Sequence, residues 1–273
     1  MAEQNAIDLV ILQRELFSNA KTWFGSAQVT RMAAIVAGLA SLLPSVSRFV
    51  PFAVFILAAA SDVFAWQSEK RKKLAERALR LVEAKEGLGI SVSSREIADI
   101  GAESPARVRE AARAGAENAY YASDHTPGPR RVLQNLQESA WWTKHLSGTM
   151  LAICVWFIAI VTTLSIAFLV TSINLALSAP NITVVARLVT AVLMVLFSLG
   201  VIRMAVGYAN LRDRAQSTEV RAAREEATAS DSIAALRILH EYQVARAGAP
   251  LIPDWVYRMR KKTLDALWKS QAS

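Results

Sequence analysis

The chain has 273 residues, 53% of them hydrophobic and 20% charged, with a formal net charge of +8. So many charges in so apolar a chain must be segregated from the apolar runs, which is the pattern of a membrane protein with sizeable aqueous parts and not of an ordinary soluble globule. The single cysteine, Cys154, excludes an intrachain disulfide framework and a cysteine-based metal site, and His125, His145 and His240 lack metal-ligand spacing.

Residues 1–26 read as an amphipathic helix on the cytoplasmic side. In "QNAIDLVILQRELFSNAKTWF", Ile7, Val10, Ile11, Phe17, Ala20 and Phe24 fall close to one face. Glu3, Asp8, Arg14, Glu15 and Lys21 argue against a signal peptide. Residues 27–66 read as a first transmembrane hairpin. Its apolar runs are Ala27–Val46, with Arg31 near the start, and Phe49–Trp66, which contains Asp62; Pro44 and Pro51 bracket the turn between them.

Residues 67–146 read as a cytoplasmic, helical, ligand-sensing segment. "SEKRKKLAERALRLVEAKEG" continues the second span and ends near Gly87 and Gly89. Its Glu69, Glu76, Glu83 and Glu86, spaced among lysines and arginines, predict surface ion pairs. Ser93 and Glu96 fit a capping box. Pro105 opens a further helix that carries through to Tyr120 and Tyr121, and "TPGP" (Thr126–Pro129) breaks the chain. From Arg130 onward the pattern predicts a helix running unbroken into the third apolar run.

Residues 147–209 read as a second transmembrane hairpin. The chain is uncharged for 41 residues, from Leu146 to Ala186, and "SAPN" (Ser178–Asn181) turns it into a fourth run with Arg187 and Arg203 near its ends. Residues 210–273 read as cytoplasmic helices: one long helix over 211–246, an interruption at "APLIPDW", and a terminal amphipathic helix marked by Trp255, Met259, Leu264 and Trp268. The segment Gln67–His145 holds 14 lysines and arginines and the tail from Tyr208 holds 11, so the positive-inside rule puts both termini and the middle segment in the cytoplasm. The fold class expected is all-α, a polytopic membrane protein of two transmembrane hairpins. Asp62 and Arg203, at similar depth in the second and fourth spans, are expected to pair between the hairpins as a gating contact.

No phosphate-binding loop, dinucleotide fingerprint or nucleophile elbow is present, and nothing argues for an enzyme. The residues that bear chemistry gather at the foot of the third span, in "NAYYASDHTPGPRRVLQNLQESAWWTKHLSG". On a helix Arg131, Asn135, Glu138, Trp142 and His145 share one stripe, while Leu133, Leu136 and Ala140 fall on a packable face. Arginine, asparagine and glutamate supply phosphate and base-edge contacts, and aromatic rings supply stacking surfaces. The candidate ligand site is therefore Tyr120, Tyr121, Arg130, Arg131, Asn135, Glu138 and Trp142. Trp141, Trp142 and Lys144 also suit an aromatic belt with an interfacial anchor, and Arg130 and Arg131 suit lipid phosphates.

"QRELFSNAK" (Gln13–Lys21), "PGPRRVLQNLQESAWWTKHL" (Pro127–Leu146) and the paired hairpins resemble the SMODS-associated four-transmembrane effector family. The resemblance spans nearly the whole chain and implies a role in bacterial anti-phage signalling. A cyclic di- or oligonucleotide, made by a partner cyclic-oligonucleotide synthase, would bind the cytoplasmic part. The chain, as a homo-oligomer in the inner membrane, would then disrupt the bilayer. On this reading there is no cofactor or metal, the ligand is the activating nucleotide, and neither DNA nor RNA is a partner. A constitutive ion channel or transporter, and a membrane scaffold recruiting a soluble partner, are the alternatives.

Overall fold

The computed structural model describes residues 7–40, 49–115, 120–174, 200–228 and 232–272. Among them the secondary structure is all-helical: α1 (Leu9–Ala40), α2 (Val50–Val82) with a π turn at Glu83–Gly87, α3 (Ser94–Glu103), α4 (Ala106–Ala114), α5 (Pro129–Asn174), α6 (Val201–Ala227), α7 (Ser232–Gly248) and α8 (Asp254–Ala272). The "SAPN" turn, most of the fourth apolar run and the turn between the first two runs lie outside the described residues.

Two antiparallel pairs form the frame. In the first, Ser68 Oγ donates to Ala20 O of α1 and Trp23 stacks near Phe64, so α1 and α2 run alongside each other in opposite directions. In the second, Lys144 Nζ meets Glu219 at 2.6 Å and Gln134 donates to Glu226 at 2.7 Å, which sets α6 antiparallel to α5. Beneath the first pair, Leu12, Leu16, Ala75, Ala78 and Val82 build a core that α3 and α4 close with Ile100, Val108 and Ala112. Each fully buried leucine there contributes about 1.5–3 kcal/mol. A second core joins Val132, Leu133, Leu136 and Ala140 of α5 to α6 and α7, as the packable face of α5 predicts.

Local signals hold where one residue decides them. Ser93 Oγ accepts from Glu96 N at 3.1 Å while Glu96 Oε2 accepts from Ser93 N at 3.1 Å, the expected capping box. α2 ends where Gly89 takes a φ of +70°, a left-handed conformation that costs other residues about 1–2 kcal/mol. α5 runs 46 residues without a break from Pro129 into the third apolar run.

Three expectations are corrected. The helix opened by Pro105 stops at Ala114, so Tyr120 and Tyr121 are not helical; Gly115, extended, leaves room for α1's Ile11 against the backbone. The long helix over 211–246 is two helices. Arg221 pairs with Glu241, which a straight helix would hold about 30 Å apart, so the chain reverses after Thr228. Glu76 and Glu83 are not surface residues: they are 4% and 5% exposed, because seven-residue spacing puts both on the face of α2 that α7 covers.

Among the described residues one helix, α5, is long and apolar enough to cross a membrane, and only 17% of its most apolar window is buried inside the molecule, unlike the core helix of a soluble protein. Large apolar side chains also face outward on the other long helices, including Val29 and Val36 of α1, Phe52 and Phe55 of α2, and Val206 of α6.

Candidate functional site

A cavity of about 710 Å³ opens where the lower halves of α1, α2 and α5 meet α7, α8 and the Tyr120–Tyr121 segment. That volume falls within the range of small-molecule sites. α1 contributes Gln13, Arg14, Phe17, Ser18 and Lys21, one helix face. α2 adds Lys72 and Glu76, α5 adds Glu138, Ser139, Trp142 and Thr143, α7 adds Arg246, and α8 adds Asp254, Tyr257 and Lys261.

Four of the seven sequence-predicted site residues line it: Tyr120, Tyr121, Glu138 and Trp142. The other three do not. Arg130 is exposed and meets Glu226 at 3.5 Å, and Arg131 donates to His125 O at 2.9 Å. Asn135 is buried against a void of about 10 Å³ shared with Glu83, Gly87 and Tyr121. The stripe divides because the π turn and the 120–127 segment cover its N-terminal half, where Gly128 N donates to Gly87 O at 2.8 Å, while its C-terminal half stays open.

Five cations line the cavity, Arg14, Lys21, Lys72, Arg246 and Lys261, against three carboxylates, Glu76, Glu138 and Asp254. Three of the cations are tied to the frame. Lys21 Nζ meets Asp254 Oδ1 at 2.5 Å. Lys72 Nζ donates to the carbonyls of Ala247 and Ala249, satisfying the C-terminus of α7, and burial lowers its pKa against the pull of Glu69 and Glu76. Arg246 is held by Glu76 and Glu83. Two cations also lie over tyrosine rings: the Arg14 guanidinium carbon is 5.5 Å from the Tyr120 centroid and Lys261 Nζ is 5.9 Å from that of Tyr257. Trp142 faces Tyr257 at 5.9 Å and Tyr120 packs edge-on against Tyr121 at 4.7 Å, so aromatic walls alternate with positive charge.

Two buried polar atoms on lining residues find no partner among the described residues: Oε1 of Gln13, a residue 3% exposed, and Nη2 of Arg246. Left dry, such atoms cost about 1–3 kcal/mol each, so a ligand that offers a donor to Gln13 Oε1 and an acceptor to Arg246 Nη2 has something to gain here. Burial raises the Glu138 carboxyl above its ordinary range, opposed by the hydrogen bond from Ala122 N. Burial, reinforced by Glu83, pushes the Tyr121 phenol well up, and it donates to Glu83 Oε1 at 3.4 Å as the neutral form. Among the described residues no three His, Cys, Asp or Glu side chains are placed to hold a metal ion.

Comparison with family models, with curated proteins and with solved structures finds no match to this chain. The site therefore rests on its own geometry. Sequence reasoning missed Arg14, Lys21, Lys72, Arg246, Tyr257 and Lys261. A signal existed for the first two: Gln13, Arg14, Ser18 and Lys21 interrupt the face of α1 that Val10, Phe17 and Phe24 mark as apolar.

Arg203 is exposed on α6, and Asp62 pairs instead with Arg31, Nη2 to Oδ1 3.3 Å. With α1 antiparallel to α2, the long side chain of Arg31 reaches along α2 to Asp62, so the partner of Asp62 lies within its own pair of helices.

Proposed function

We propose that this protein is a membrane-embedded effector that binds a cyclic di- or oligonucleotide in the cytoplasmic cavity and, as a homo-oligomer, permeabilises the bacterial inner membrane. The observation that carries the reading is the continuity of α5: Glu138, Ser139, Trp142 and Thr143 line the cavity, and the same helix continues without a break into the uncharged run. Five cations interleaved with tyrosine and tryptophan rings suit a ligand with both phosphates and bases. The outward apolar side chains on α1, α2 and α6 support four spans in two hairpins, and the lysines and arginines concentrated in the middle segment and the tail support cytoplasmic termini. The resemblance of Gln13–Lys21 and Pro127–Leu146 to the four-transmembrane effectors supports the signalling role, and both segments contribute to the cavity wall.

Calorimetry on the detergent-solubilised full chain with a panel of cyclic di- and trinucleotides tests the ligand. Arg14→Ala and Lys261→Ala should each weaken binding roughly ten- to a hundredfold, the value of a charge-assisted contact of about 1.5–3 kcal/mol. Arg130→Ala, outside the cavity, should bind as wild type. Absence of binding across the panel, or wild-type binding by both cavity variants, overturns the assignment. Reporter fusions test the topology: Ala102 and Ser273 should report the cytoplasm, and Ser45 and Ala179 the opposite side.

A further inference from the structure

We propose that α8 lies flat on the cytoplasmic membrane surface and binds anionic lipid headgroups with the face it turns away from the bundle. The proposal rests on α5 spanning the membrane. Trp141 and Trp142 are neighbours on α5, yet Trp141 touches Trp268 at 5.2 Å and Trp142 touches Tyr257 at 5.9 Å. Those two α8 residues are separated by about 16 Å along the helix axis. Adjacent side chains of one helix reach both only if the two helices cross at a steep angle. α8 is therefore transverse to α5, and it crosses at the border of the uncharged run that starts at Leu146, with Trp141 and Trp142 just before the border and Val256 in one buried cluster with Met150 and Cys154 just inside it. A helix transverse to a span at its foot lies in the plane of the headgroups.

The two faces of α8 differ in kind. Inward, Val256 and Leu264 are fully buried, and Tyr257 and Lys261 line the cavity. Outward, Trp255 (48% exposed), Met259 (55% exposed), Lys262, Ala266 and Lys269 recur at helical spacing as one exposed stripe, with exposed Arg258 beside it. Asp254–Ala272 carries five cations, Arg258, Arg260, Lys261, Lys262 and Lys269, against Asp254 and Asp265, and Asp254 is already paired with Lys21. An apolar stripe with a tryptophan and flanking cations is the composition of an interfacial helix: rings and aliphatic stems enter the headgroup boundary while ammonium groups meet lipid phosphates. The charge selects an anionic leaflet.

The test uses the full chain in proteoliposomes, on a Cys154→Ala background, with an environment-sensitive fluorophore on Met259→Cys and quencher-bearing lipids. Label at 259 should be quenched strongly in phosphatidylcholine vesicles containing phosphatidylglycerol and weakly in phosphatidylcholine alone. Arg258→Gln, Lys262→Gln and Lys269→Gln should each lower its membrane partition roughly fivefold. Label on Lys261→Cys, facing the cavity, should stay unquenched. Label on Val155→Cys, in the span, should be quenched in both lipids. Quenching at 155 with none at 259, or equal quenching at 259 in both lipids, overturns the proposal and leaves the spanning helix standing. No quenching at 155 overturns the span and the proposal with it.

Discussion

Arg246 of α7 grips Glu83 at the π turn that ends α2: its Nη1 lies 2.9 Å from Glu83 Oε1, and its Nε reaches Glu76 Oε2 at 3.2 Å. Gln243 donates to the other Glu83 oxygen at 2.7 Å. Burial alone would lower the guanidinium's pKa, but the two carboxylates raise it well above the ordinary arginine value, so the group stays charged. Arg246→Met leaves two carboxylates buried without their counter-charge. It should cost about 3–5 kcal/mol of stability, read by thermal or urea unfolding in detergent. Adding Glu76→Gln and Glu83→Gln should recover much of that loss. A lone Arg246→Met with wild-type stability would show that the grip does not hold α7 to α2.

On the proposed function, the carboxyl of Glu138 should make ligand binding pH-dependent. Its pKa is raised by burial, so between about 4.5 and the raised value the folded protein holds a proton that the unfolded chain has lost. Its contribution to stability thus falls as pH rises through that window. A charged Glu138 also repels an anionic ligand, so nucleotide affinity should rise as pH falls through the same window, and phosphodiesters do not titrate there to confuse the reading. Glu138→Gln should flatten the profile at the high-affinity level. Calorimetry across the pH range decides: an unchanged slope in the variant removes Glu138 from the ligand's surroundings.

Much of the frame is legible in the sequence. The unbroken α5, the Ser93–Glu96 box, the interruption before Asp254 and the buried face of Leu133, Leu136 and Ala140 each follow from residues close in the chain. The cavity is not legible, because its cations come from segments as distant as Arg14 and Lys261, and helical periodicity gives a face without naming what that face meets. Glu76 and Glu83 show the same limit. On a stem rich in lysine and glutamate every face looks solvated, and only the packing of α7 distinguishes the buried one. The reversal after Thr228 is marked by "TASDS", whose side chains compete with helical hydrogen bonds, a weak cue inside an otherwise helical pattern.

Asp62 meets Arg31 at 3.3 Å, whereas Arg203 is exposed on α6. In a double-mutant cycle, Arg31→Ala and Asp62→Ala should be non-additive by at least about 0.5 kcal/mol, while Asp62→Ala and Arg203→Ala should add. Thermal stability in lipid nanodiscs is the measurement. Exchange of Arg31 and Asp62 should restore what either single change loses. Coupling of Asp62 to Arg203 larger than to Arg31 would place the contact between the two hairpins after all.

Gly89 permits the end of α2. With φ at +70° and Pro127 Cβ 2.9 Å from where a Cβ would sit, Gly89→Ala should cost at least about 1–2 kcal/mol from backbone strain alone. Gly25, in mid-α1 with nothing within 4 Å of an added Cβ, is the control; there alanine should be neutral or stabilise by up to about 1 kcal/mol. Equal melting shifts for the two substitutions would rule out the backbone argument.

The length of α5 has a mechanical consequence. A continuous helix with no proline after its first residue and one glycine, Gly148, ahead of Met150 behaves as a stiff rod over the rest of its apolar run, and from Trp142 to Asn174 it measures about 48 Å. A tilt of about 5° pivoting at Trp142 swings the far end sideways by about 4 Å, nearly the rise of one helical turn. On the proposed function, a ligand seated against Glu138 and Trp142 would push on the short arm of a lever. No refolding would be needed to carry a small displacement at the cavity to the far end of α5, where neighbouring copies in the proposed oligomer would be levered apart or together.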